Sequence, residues 1–357
     1  MVDLSAFPTR QLLRWNLVVR MGLAVIAPLA VQHLLTGNLT GTGMIAALVA
    51  AFVSFGDLGP DVDQPRWTAV TVVAAPTAVV AGVVLGPSPT GGLLIVFLLY
   101  LVHGALTEAG LVSQLAWFPV SSLGLIASVL STGTADVVGV ALAAATGSAW
   151  AALLLVVTPR LVHDSRLPIP PAALKVDTDR LRRMVRSPAW VDWHYPLLLG
   201  TLATVVLAVA DTVTGGFKPY WAVFALVGVL GPSPTAARQM GWETVASTLA
   251  GIALAALLLS VGLDTTSVMV VAVLLLLIGA VLLLRHAILA KVLMTPLPVI
   301  LAAAALGPNG SLALGIRLVE YLLGAGIGLV AAIGGGWLAA RLSTEQAHSD
   351  SQADPAS

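Results

Sequence analysis

Long apolar runs alternate with short polar breaks along this chain, and the alternation is written twice. Gly56-Asp57-Leu58-Gly59-Pro60 closes one apolar stretch and Trp67 opens the next. Gly228-Val229-Leu230-Gly231-Pro232 closes another and Trp242 opens its successor. Both halves then run on to a Gly/Ala-rich final stretch, residues 143–157 and 318–337. A duplicated set of apolar segments predicts two copies of one helix bundle, an architecture of transporter type. The identical hexapeptides at 85–90 and 230–235 are out of register with this repeat, and Leu-Gly-Pro is a recurrent helix stop in the chain, so that match is read as coincidence.

Six spans are expected in the first half, at 17–35, 44–55, 67–85, 92–106, 111–130 and 137–157. Six more are expected in the second, at 196–213, 220–230, 242–261, 267–284, 288–306 and 314–338. Gly/Pro/Asn/Thr clusters at 36–43, 86–92, 131–135, 214–216 and 307–311 mark breaks between them. The predicted fold is therefore all-α: a polytopic membrane protein of about twelve transmembrane helices, arranged as two six-helix parallel repeats. Residues 1–158 form the first module, 159–194 a basic linker, 195–342 the second module and 343–357 a polar tail expected to be disordered.

Composition agrees with lipid as the solvent: 58% of residues are hydrophobic, 10% are charged, and mean hydropathy is +0.97. A soluble domain carries about 25% charged residues. Arg10, Arg14 and Arg20 precede an apolar stretch without a small-residue cleavage motif, so the N-terminus reads as a first span with Trp15 at headgroup level rather than a signal peptide. The net charge of zero hides an asymmetry: alternating loops place every Lys and Arg on one side except Lys218 and Arg317. The positive-inside rule makes that side the cytoplasm, with both termini inside a bacterial inner membrane.

In the linker, Asp177 or Thr178 is expected to cap a short helix through Arg186. Leu181, Met184 and Val185 would share one side, with Arg180, Arg182, Arg183 and Arg186 around the rest. Such a segment suits the surface of an anionic bilayer; the alternative is a regulatory or substrate-gathering element.

Ionisable residues inside lipid are costly and mark functional sites. Aligning His103-Gly-Ala-Leu-Thr-Glu108 with His286-Ala-Ile-Leu-Ala-Lys291 sets Glu108 opposite Lys291, with Arg285 beside them. These two could pair, the pair being broken by a proton or an anionic substrate, or each could sit alone at a helix hairpin. Arg317 and Glu320 lie three residues apart and can pair on one helix face, or Arg317 can take a substrate carboxylate. Tyr220 and Trp221 can stack on an aromatic ligand or belong to an interfacial aromatic belt. His33 and Gln114 read as inter-helical hydrogen-bonding residues. Pro28, Pro76, Pro119, Pro296 and Pro298 interrupt spans, with Thr295 a candidate partner for freed carbonyls.

Asp57, Asp61 and Asp63 make an acidic cluster that could hold Mg²⁺ for a diphosphate, as in a membrane prenyl transferase. No second aspartate-rich motif, HExxH or P-loop accompanies it, so an enzyme is the lesser alternative, beside a non-transporting assembly protein. The absence of cysteine rules out disulfides and thiolate ligands. No cofactor, metal or nucleic acid is expected; the expected partners are the bilayer, a small organic anion and protons, and a homo-oligomer is compatible with the pattern. Ala143/Gly147/Ala151, Ser247/Gly251/Ala255 and Gly324/Gly328 are small-xxx-small seams for close helix packing.

The second half resembles the fusaric-acid-resistance-like (FUSC) family. The resemblance rests on Lys218-Pro219-Tyr220-Trp221-Ala222 opening a span that ends in Gly231-Pro232, and on Arg238 with Glu243-Thr244 entering an Ala/Gly/Leu-rich span. It continues in Met294-Thr295-Pro296-Leu297 ahead of the long final span. It covers residues 190–341, and the first half resembles a diverged copy. The resemblance implies proton-driven export of small, often aromatic, carboxylic acids by a six-helix module used twice. The chain lacks the sizeable soluble domain of larger members.

Overall fold

The computed structural model describes residues 15–37, 42–55, 65–130, 136–162, 176–187, 190–215, 220–230, 234–262, 265–282, 286–297, 299–300 and 315–334. Among these residues the chain forms thirteen helices of eight residues or more and no strand. The first half comprises α1 (Trp15–Thr36), α2 (Thr42–Phe55), α3 (Pro65–Leu85), α4 (Pro89–Ala109), α5 (Leu111–Leu130) and α6 (Val137–Leu161). The linker helix α7 (Thr178–Arg186) follows. The second half comprises α8 (Trp190–Val213), α9 (Tyr220–Val229), α10 (Pro234–Ser260), α11 (Thr265–Leu282), α12 (Ala287–Met294) and α13 (Gly315–Gly334).

Seven of the described helices (α1, α3, α4, α6, α8, α10 and α13) contain stretches long and apolar enough to cross a membrane. Their outer faces stay apolar: Leu34, Val138 and Val330 are 83%, 68% and 72% exposed. With so few charges available, these faces must meet lipid rather than water. The chain is a multi-pass membrane protein.

Each expected span holds a helix, with two differences. The stretch expected to run from 288 to 306 is interrupted at Thr295, after Met294, and is helical again at 296–297 and 299–300. There the Thr295 hydroxyl donates to the Lys291 carbonyl at 2.7 Å, and Pro296 supplies no N–H to continue the ladder. Conversely, Pro28, Pro76 and Pro119 lie within continuous α1, α3 and α5, so they do not end those helices.

All three small-residue seams are close contacts. Gly147 of α6 meets the Ala46 carbonyl of α2, and Gly324 of α13 meets the Ala222 carbonyl of α9; a Cβ at either glycine would overlap that carbonyl. Gly251 of α10 seats the Thr295 side chain. Packing recurs in both halves. In the first, α1 packs on α2, α3 on α5 and α4 on α5; in the second, α8 packs on α9, α10 on α12 and α11 on α12. Between the halves α4 packs on α8, and α1 on α11. The α4–α8 contact is made backbone to backbone, through Gly104 against Pro196 and Gly200 against the Phe97 carbonyl. At the other seam Gly22 faces only the Leu277 side chain.

The linker helix begins where expected, with Asp177 accepting from the Arg180 backbone N–H at 2.8 Å. Its burial differs from the expected stripe: Met184 is buried, while Val185 is 79% exposed. The helix docks on protein. Asp177 N–H donates to the Ala109 carbonyl, the Trp193 indole donates to the Met184 carbonyl, and Arg180 meets Glu108 at 2.6 Å and Asp192 at 3.8 Å. One guanidinium thus ties α7 to α4 and α8, the two helices of the tighter inter-half contact.

Candidate functional site

The helix that organises the site is α9, ten residues long. At ~1.5 Å per residue it spans ~15 Å, about half the ~30 Å hydrocarbon thickness of a bilayer. Its terminal N–H and C=O groups therefore need partners inside the protein.

At the N-terminal end those partners come from α13. Glu320 is fully buried, faces the Trp221 backbone N–H, and accepts from Arg317 Nη1 at 2.7 Å. Arg317 is itself 6% exposed, and its guanidinium carbon lies 4.8 Å from the centre of the Tyr220 ring. Tyr220, Trp221 and Phe224 form a cluster with ring centres 5.8 to 6.0 Å apart. Trp221 also borders all three apolar clusters of the described core. Glu320 Oε1 and Trp221 Nε1 are among the buried polar atoms without a hydrogen-bond partner among the described residues. A cation, a carboxylate, aromatic faces and unused polar atoms in an apolar surround suit a small acid with a planar body.

At the other end of α9, Thr244 of α10 is the meeting point. Its hydroxyl lies 3.4 Å from the Gly228 carbonyl and accepts from Lys291 Nζ of α12 at 3.0 Å. The Tyr321 hydroxyl of α13 donates to the Thr244 carbonyl at 3.3 Å. Tyr195 of α8 donates to the Leu230 carbonyl at 3.1 Å. Acid at the N-terminus and base near the C-terminus both match the dipole of α9.

Glu108 and Lys291 do not face each other. Glu108 belongs to the Arg180 clasp, whereas Lys291 binds Thr244. The histidine alignment fails because α4 runs six residues past His103, while α11 is described only to Leu282 and His286 is the N-cap of α12. His103 is buried, its Nδ1 3.1 Å from Ser121 Oγ, whereas His286 is exposed. Arg285, the Asp57/Asp61/Asp63 cluster, Lys218 and the tail lie outside the described residues. Four expected residues (Tyr220, Trp221, Arg317 and Glu320) come together at one end of α9, and Lys291 stands at the other.

Sequence reasoning missed Thr244 and Tyr321 as polar residues of the site, although Thr244 stood in a quoted motif. It also missed Arg20, which is 2% exposed within α1 rather than flanking a span. An apolar groove of ≈ 590 Å³ between α3 and α6, lined by Pro76, Thr77 and Val80, offers no charge to orient a ligand.

Helices, burial and site define a multi-pass membrane protein with a charged pair held in its interior. Residues 199–331 match the family described as fusaric acid resistance protein-like, and in that stretch the chain is similar to it. The match supports a membrane protein of this family and contains every residue named at both ends of α9 except Tyr195. No curated protein and no solved structure matches the chain.

Proposed function

We propose that the protein is a secondary-active, proton-coupled exporter of small aromatic or amphipathic organic acids across a bacterial inner membrane. The fusaric acid resistance description of the matched segment ties it to resistance-related membrane transport rather than to an enzyme. The recurring contacts in the two halves support twelve spans in two parallel six-helix repeats, and the one-sided distribution of Lys and Arg supports cytoplasmic termini.

The observation that carries the reading is the buried Arg317–Glu320 pair beside the Tyr220/Trp221/Phe224 cluster. A substrate carboxylate displaces Glu320 from Arg317 and takes the bidentate geometry that guanidinium favours, while its ring lies against the aromatic cluster. Once the substrate has left on the outer side, Glu320, still without its cation in a low-dielectric surround, takes up a proton there and gives it up on the cytoplasmic side as the pair with Arg317 re-forms. The acid moves outward and the proton inward, so the two movements are linked at one residue. The test is accumulation of radiolabelled benzoate in cells with and without the protein, and with and without an uncoupler. The protein should lower accumulation only while the proton gradient stands, and Glu320→Gln should abolish that effect. Equal accumulation with and without a well-expressed wild-type protein rejects the reading.

A further inference from the structure

The export cycle above uses only the N-terminal end of α9 and leaves Lys291 without a task. Yet each end holds a cation. Arg317 stands with Glu320 at one end. At the other, Lys291 meets the Thr244 hydroxyl at 3.0 Å, and Glu243 of α10 acts on it electrostatically. Capping does not account for Lys291, because the Thr244 hydroxyl lies between its ammonium and the Gly228 carbonyl. An ammonium has three donors, and the hydrogen bond seen here goes to a neutral hydroxyl.

We propose that Lys291 and Thr244 form a second carboxylate-binding station, at the cytoplasmic end of α9, for the same small organic monoanion that Arg317 binds. This rests on the exporter reading and on the cytoplasmic placement of the α11–α12 connection. Tyr220 and Gly228 are eight residues apart, so the stations lie ~12 Å apart along the helix. That exceeds the reach of one small acid, so the anion occupies the stations in turn. The Tyr321 hydroxyl, hydrogen-bonded to the Thr244 carbonyl and adjacent in sequence to Glu320, supplies a polar group between them.

The experiment uses the full chain, purified and also reconstituted in vesicles of known orientation, with labelled benzoate as probe. In equilibrium binding the wild type should hold two benzoates at saturation, and Lys291→Gln and Arg317→Gln one each. In vesicles Lys291→Gln should raise the half-saturating concentration about tenfold for benzoate offered at the cytoplasmic face, the loss of one charge-assisted hydrogen bond, with little change for the outer face. Lys291→Arg should keep most of the wild-type affinity, and the thermal midpoint of Lys291→Gln should match the wild type. A single binding site that Lys291→Gln leaves intact overturns the second station while leaving the exporter reading in place. So does an equal loss at both faces with a lowered midpoint, the mark of a structural lysine. Loss of the exporter reading reads differently: Arg317→Gln would bind and transport like the wild type.

Discussion

The Arg317–Glu320 pair should be a liability for stability and a necessity for transport, and the two can be separated. Both side chains are buried, at 6% and 0% exposure, and the contact is 2.7 Å. With charge centres ~4 Å apart and an effective dielectric of ~20, the attraction is ~4 kcal/mol. Desolvating two ions costs several kcal/mol each, so the pair contributes little net stability once formed. Removing one partner is different, because the other charge stays buried. Glu320→Gln forfeits the ~4 kcal/mol, and the Tyr220 ring, which faces the guanidinium in both forms, offsets none of it. The expected cost of Glu320→Gln is therefore about 4 kcal/mol. The double change Arg317→Met with Glu320→Leu removes both charges at similar volume and should restore stability to the wild-type level or above. Urea unfolding in detergent, followed by tryptophan fluorescence, measures both variants, and benzoate export is measured alongside. A double variant as unstable as Glu320→Gln would refute the argument, because the pair would then be a net stabiliser. A double variant that still exports benzoate would refute the site.

Three further outcomes follow from other contacts. Gly324→Ala should destabilise the protein by ~1–3 kcal/mol, because its Cβ meets the Ala222 carbonyl, whereas Gly326→Ala, with nothing within 4 Å, should be neutral or slightly stabilising in the same unfolding assay. Arg180→Ala removes a clasp whose side chains are 28% and 13% exposed; after discounting for solvent it should cost ~1–2 kcal/mol and speed trypsin cleavage at Arg182 and Arg183. Cysteines placed at Thr90 and Ser187 of this cysteine-free chain should react with an impermeant thiol reagent from outside at Thr90 alone. Labelling at Ser187 from outside would reverse the proposed orientation.

Helix positions were legible in the sequence because apolar length alone sets them: α5 runs from Leu111 to Leu130 as expected. Local pairs were legible too. Arg317 and Glu320 are three residues apart, and helical spacing brings them together whatever else the fold does. Their meeting with Tyr220 and Trp221, roughly a hundred residues earlier, was not legible as a contact. It depends on α13 lying against α9, which the Gly324 contact with Ala222 permits. The Glu108–Lys291 pairing failed for the reverse reason, since matching histidines says nothing about where each helix ends. Arg20 was read as a flank because charge beside an apolar run normally marks a span's edge, but α1 begins at Trp15 and carries it inward. The glycine seams also allow one further step. If Gly147 and Gly324 hold equivalent places, as their matching contacts with the Ala46 and Ala222 carbonyls suggest, then Arg317 corresponds to Val140 and Glu320 to Ala143. The packing recurs in both halves and the charged pair does not. On that register the first half supplies scaffold and the binding chemistry belongs to the second, so the repeat gives the chain two bundles but one Arg–Glu centre.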